Sequence, residues 1–229
     1  MYLDSTYILV LIGALICSLA SMNVNNTFKR FSKVANKRGL TAQDVAKEIL
    51  NGANIYDVRI ERIRGNLTDH YSPNEKVLRL SDSVYNSYSV AAIGVAAHES
   101  GHAIQHKVGY FPLHLRSISV PVANIGSKLS WPVIIIGLLL GYMDLARIGV
   151  YLFSFVVIFQ LITLPVEFNA SHRALSILRD KGILYPDEQL MAKKVLSAAA
   201  LTYVASLFST ILQMIRLILM TRGRDNRRR

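Results

Sequence analysis

Four stretches of the chain stay apolar for far longer than a strand needs: residues 6–22, 119–143, 148–166 and 196–220. A helix rises about 1.5 Å per residue, so about 20 such residues cross the hydrocarbon core of a bilayer. The first stretch, at about 17 residues, is near the lower limit for spanning. The second contains Lys128 and the fourth Arg216. Lys128 lies close enough to one end for its stem to carry the ammonium to the headgroups. Only the polar turn 141–147 separates the second stretch from the third, so the two are expected to form a transmembrane hairpin.

Between the first and second stretches the pattern changes in kind. Thr41-Ala42-Gln43-Asp44 reads as a helix-opening cap, with Val45, Ile49 and Leu50 on one face and Asn51-Gly52 as the stop. Val58-Arg59-Ile60-Glu61-Arg62-Ile63 alternates with the period of a strand. Two further short strands, 67–71 and 76–81, flank the turn Ser72-Pro73-Asn74-Glu75. A helix follows over 89–107 and stops at Gly109. Just upstream of that helix, Val77, Leu78, Arg79 and Leu80 are expected to offer a free strand edge to an extended peptide. After the hairpin, Glu167 is expected to open a helix at the membrane surface, where the N-terminal dipole favours a carboxylate. The predicted organisation is an anchor in 1–22, a soluble domain in 23–117, a transmembrane hairpin in 118–166, a helix and connection in 167–195, and an apolar segment with a basic tail in 196–229. In class this is a mainly α membrane protein with three to four transmembrane helices and a small α+β soluble domain.

Charge then orients these elements. With 26 Lys and Arg against 15 Asp and Glu the chain carries a formal +11. The basic residues flank the apolar runs, the pattern that anionic lipid selects, and nucleic acid is excluded as a partner. Only Asp4 precedes the first run, whereas Lys29, Arg30, Lys33, Lys37 and Arg38 follow it. A cleaved secretory signal has the opposite order, although Ser18-Leu19-Ala20 offers a small-residue site. The expectation is an uncleaved anchor with the N-terminus outside and the soluble domain in the cytoplasm. The tail Arg222, Arg224, Arg227, Arg228 and Arg229 conflicts with it, because a fourth span would put those arginines outside. The lone Cys17 excludes an intramolecular disulfide and a cysteine-rich zinc site.

The chemistry is concentrated in His98-Glu99-Ser100-Gly101-His102, an H-E-x-x-H pattern on the helix 89–107. Histidines four positions apart share a helix face about 6 Å apart in rise, and neutral imidazole is a preferred zinc ligand. A catalytic zinc takes three protein ligands and leaves a position for water, from which Glu99 is placed to take a proton. His106 fails as third ligand because it lies about 12 Å of rise from His98. An extended H-E-x-x-H-x-x-G-x-x-H motif would need a histidine where Val108 stands. A hairpin crosses the bilayer twice, so the first residue returned to the side of His98 and His102 is Glu167, which completes a His₂Glu site for one Zn²⁺ ion. The rival carboxylate, Asp144, falls in the far turn and would serve only if the zinc helix were itself intramembrane, as in site-2-type proteases. His172, Arg173 and His70 are the candidate donors to an oxyanion.

Three groups of residues carry a family resemblance: Ala97-His98-Glu99-Ser100-Gly101-His102-Ala103-Ile104-Gln105-His106, Asp69-His70-Tyr71 with Val77-Leu78-Arg79-Leu80-Ser81, and Leu164-Pro165-Val166-Glu167-Phe168-Asn169-Ala170-Ser171. Together they resemble the YugP-like membrane zinc metallopeptidases of bacteria over nearly the whole chain, and more distantly the HtpX and prenyl-protein protease group. The resemblance implies a zincin-like soluble domain, a neutral zinc peptidase with His98 and His102 as ligands and Glu99 as catalytic carboxylate, and a multi-pass protein of the bacterial cell membrane. Relatives often place an aspartate four residues after the glutamate ligand to orient a zinc histidine. Here Ser171 stands there and brings a hydrogen bond without charge. The expected function is a membrane-anchored endopeptidase acting on peptides or membrane proteins at the cytoplasmic side. A zinc-stabilised scaffold and a small transporter are the competing readings, and homo-oligomer or membrane partners are left open.

Overall fold

The computed structural model describes residues 5–225, and side chains from 5 to 221. Asp4 and Arg227, Arg228 and Arg229, part of the charge argument above, lie outside the described residues. The chain forms α1 (Tyr7–Phe31), α2 (Ala42–Gly52), β1 (Arg59–Ile63), β2 (His70–Ser72), β3 (Val77–Ser81), α3 (Val90–Lys107), α4 (Phe111–Leu140), α5 (Met143–Asp180) and α6 (Pro186–Asp225). It divides into two compact units. One is helical and comprises the described residues up to Ser21, Leu115–Leu164, and those from Thr202 on; the other comprises Met22–His114 and Pro165–Leu201.

In the mixed unit, α2 begins as its sequence dictates. The Thr41 hydroxyl accepts from the Asp44 N–H while the Asp44 carboxylate accepts from the Thr41 N–H at 3.1 Å, a reciprocal capping box. Its face Val45, Ala46, Ile49 and Leu50 packs with Leu78 and Leu80 of β3 and with Ala92, Ile93, Ala96 and Ala97 of α3. Leu178 from α5 and Leu184, Ala192 and Val195 from the segment after it complete this core. Burying each large aliphatic side chain contributes about 1.5–3 kcal/mol. Phe28 and Phe31, three positions apart, join the same core, which explains why α1 continues well past the apolar run that was expected to end it at Met22.

The sheet corrects one expectation. Its order is β1-β3-β2, with β3 parallel to β1 and antiparallel to β2. Val77, Leu78 and Arg79 are therefore paired on both sides and cannot offer a free edge, while Leu80, past the end of β2, is paired with β1. Burial of Val77, Leu78, Leu80 and Ser81 fits a central strand covered on both faces. The strand expected over 67–71 starts only at His70, because Leu67 has φ 55°, outside the β region. Lys76, at φ 51°, likewise belongs to the turn before β3.

The helical unit is an antiparallel bundle. In α4 and α5, Gly137 faces Ala146, and Gly126 faces the Leu152 carbonyl so closely that a Cβ would sit 2.5 Å from that oxygen. Small residues thus bring the two backbones together, as they do between helices in lipid. α1 runs antiparallel to α6: Cys17 Sγ donates to the Ala205 carbonyl at 3.6 Å, Gly13 lies against Ser209, and the Arg216 guanidinium stacks over the Tyr7 ring at 4.5 Å. Among the described residues four helices, α1, α4, α5 and α6, are long and apolar enough to cross a membrane. α6 is one helix to Asp225, so the last segment does not bend back. α5 is also continuous: Pro165 removes one N–H, yet the helix runs through it, as transmembrane helices tolerate.

Candidate metal centre

Helix α3 opens at Ser89, whose hydroxyl accepts from the Ala92 N–H at 3.2 Å, and most of its length is buried. The four-residue spacing places the His98 and His102 rings edge to face, with centroids 4.8 Å apart. Glu167 reaches them from α5. Its Oε2 lies 3.3 Å from His98 Nε2 and 3.5 Å from His102 Nε2, and the residue is 2% exposed. One nitrogen or oxygen from each of the three lies within 4.8 Å of the others, a group that could hold a metal ion. Ligand bonds near 2.1 Å at tetrahedral angles separate donors by about 3.4 Å. The two histidine–glutamate distances match that spacing, and the two-imidazole, one-carboxylate set suits zinc. Glu167 sits mid-helix, not at a helix start, so the dipole stabilisation expected for it is absent and the two imidazoles take that role.

Close helix packing makes this convergence possible. A Cβ on Gly101 would lie 2.7 Å from the Ala170 carbonyl oxygen, so only glycine lets α3 approach α5 at this level. Ser171, one turn past Glu167, places its hydroxyl 3.0 Å from His98 Nδ1. On the other ring, His102 Nδ1 lies 2.9 Å from Gln105 Oε1. The Gln105 amide then donates to the Val166 carbonyl at 2.8 Å and to Asn169 Oδ1 at 2.9 Å, and Arg173 Nε donates to the same Oδ1 at 2.7 Å. Gln105 and Asn169 were not singled out from sequence. The available signal was an uncharged polar residue three positions after the second histidine, on its helix face.

Burial alone would depress the pKa of His102. The hydrogen bond to Glu167 and the negative charges of Glu99 and Glu167 outweigh it and raise that pKa above the ordinary 6.5. Glu99 is 9% exposed and adjoins His98 on α3. Asp69, whose carboxylate accepts from the Ser81 N–H and hydroxyl, has its pKa raised by burial and, secondarily, by the charge of Glu99.

The three candidate oxyanion donors have different surroundings. His70 Nδ1 donates to the Thr68 carbonyl at 2.9 Å. His172 is exposed and lines a cleft of about 280 Å³ with Arg179, Pro186 and Lys193. Arg173 bonds Asn169 and lies over the Tyr110 ring at 5.9 Å. The rival carboxylate Asp144 pairs with Arg147 at 2.8 Å in the helical unit and has no place in the cluster, which removes the ligand that the intramembrane reading required. His106 Nδ1 lies 2.9 Å from the Tyr71 hydroxyl, tying α3 to strand β2.

Comparison with known proteins agrees with this geometry. A family described as "Putative neutral zinc metallopeptidase" matches residues 6–222. The chain is 44% identical over 221 residues, 96% of its length and 98% of the other's, to the "Putative membrane protease YugP" of Bacillus subtilis (strain 168). No solved structure matches the chain.

Proposed function

The chain belongs to the neutral zinc metallopeptidase family, and from that premise we propose that it is a membrane-anchored zinc endopeptidase that cuts peptide bonds in membrane or membrane-proximal chains. The observation that carries the reading is the meeting of His98, His102 and Glu167 at metal-ligand spacing, with Glu99 next to the first histidine. Those three residues would hold the ion. When bound, zinc polarises a carbonyl and brings the pKa of a water near 7. Glu99 accepts a proton from the attacking water as its oxygen bonds the scissile carbonyl carbon. The same carboxyl then returns the proton to the amide nitrogen as the C–N bond breaks, so water is consumed and two peptide fragments leave.

A peptide in extended form finds a free sheet edge at β2, not at β3, and β2 is joined to the zinc helix through Tyr71 and His106. Backbone pairing to His70–Ser72 would hold substrates with little regard to sequence. The charge pattern after α1, from Lys29 to Arg38, supports a cytoplasmic active site.

The test is Glu99→Gln in detergent-purified full-length protein with an unstructured protein reporter. The variant is expected to bind one zinc as the parent does while cleavage falls by at least about a hundredfold. Full cleavage by that variant would remove the mechanism. Absence of cleavage in the zinc-loaded parent against a range of unstructured reporters would favour the scaffold reading.

A further inference from the structure

From the bonds around His102 we infer that Gln105, held by Asn169 and Arg173, is a positioning residue that fixes the metal-binding tautomer of His102 and registers α5 against α3. The inference rests on the metal-site reading above. It starts from atoms whose roles are unambiguous. A backbone carbonyl only accepts and a guanidinium only donates. The Val166 carbonyl, 2.8 Å from the Gln105 amide, therefore demands the NH₂ end of that amide. Arg173 Nε, 2.7 Å from Asn169, likewise demands the oxygen end of the Asn169 amide, and that oxygen accepts from the same Gln105 NH₂ at 2.9 Å. Gln105 Oε1 is thus the atom left to face His102 Nδ1 at 2.9 Å, and it can only accept. Nδ1 must carry the proton, so in the neutral ring the lone pair lies on Nε2, the nitrogen that faces Glu167.

The same side chain does a second thing. Val166 adjoins Glu167, so one amide bonds both the ring of the second histidine and the turn of α5 that carries the third ligand. Gln105 is 0% exposed; both N–H groups of its amide are used by Val166 and Asn169, and its oxygen faces His102. By contrast, the Ser171 hydroxyl beside His98 can donate or accept, so it supports that ring without dictating its tautomer.

The experiment compares full-length parent and Gln105→Met in detergent. Zn²⁺ affinity is read by competition with a chromophoric chelator, and His102 ring ¹⁵N shifts are read in the metal-free protein at a pH where the ring is neutral. The expected result is a zinc dissociation constant weaker by about 10- to 100-fold, and a His102 signal that moves from the pure Nδ1–H tautomer to a mixture. A residue that merely packs would lower the melting temperature with both readouts unchanged, and that outcome overturns the inference. If Gln105→Met does not fold, Asn169→Leu replaces it. That variant leaves the Gln105 bonds to His102 and Val166 but removes the Arg173 anchor, and it is expected to weaken zinc severalfold; equal affinity overturns the relay. A parent that binds no zinc would instead refute the metal-site reading itself, so the two failures are distinguishable.

Discussion

The charge balance of the centre is set by single side chains. Glu167, through its hydrogen bond and charge, and Glu99 raise the pKa of His102 above 6.5 despite burial and so favour a proton on the metal-free ring. Zinc needs the neutral ring, so binding must expel that proton. The sign follows: the proton bound by the free site is lost as pH rises through the raised pKa, so zinc affinity should climb over the same interval. Calorimetry in buffers of different ionisation enthalpy should show proton release on binding that diminishes toward alkaline pH. Affinity that stays flat between about pH 6 and 8 would contradict this coupling. At this scale the sequence was partly legible. The four-residue spacing put His98 and His102 on one face of α3, where their rings lie edge to face, and Ser171, one turn after Glu167, lies beside His98. Gln105 was hidden, since a polar residue on a helix reads the same whether it faces solvent or, as here, a buried network.

The convergence of α3 with α5 depends on how closely two helix backbones approach. At Gly101 an added methyl would meet the Ala170 carbonyl at 2.7 Å, whereas at Gly94 it would meet Ala192 Cβ at an ordinary 3.6 Å. Gly101→Ala is therefore expected to destabilise the protein by about 1–3 kcal/mol and to weaken zinc binding. Gly94→Ala is expected to be neutral or to stabilise by up to about 1 kcal/mol. Thermal unfolding of both variants in detergent checks the contrast, and equal melting temperatures would contradict it. Hydrophobic pattern located nearly every helix but misplaced several ends. α1 and α5 each continue past their apolar runs into sequence that packs on the mixed core, through Phe28 and Phe31 and through Ala174 and Leu178. Composition does not show where lipid gives way to protein as the covering medium. Pairing order was likewise illegible: the strand nearest the motif in sequence turned out to be central, with the edges left to β1 and β2.

Taken whole, the chain delivers a carboxylate to a distant motif through helices long and apolar enough to cross a membrane. The antiparallel packing of α4 and α5 returns the chain at Pro165 to the unit it left near His114, and Glu167 follows at once. α6, antiparallel to α1, leaves basic residues after both helices, so the arginine tail conflicts with a simple charge rule for orientation. Arg216 is accommodated in its span by the Tyr7 ring, a cation–π contact that offsets part of the cost of a charge in apolar surroundings. The decisive measurement is a zinc-edge anomalous difference map from crystals of the zinc-loaded protein. It should show one ion bonded at about 2.0–2.2 Å to Nε2 of His98, Nε2 of His102 and a Glu167 oxygen. An ion bound by the two histidines with the Glu167 carboxylate more than about 5 Å away, or an ion bound elsewhere, would contradict the account.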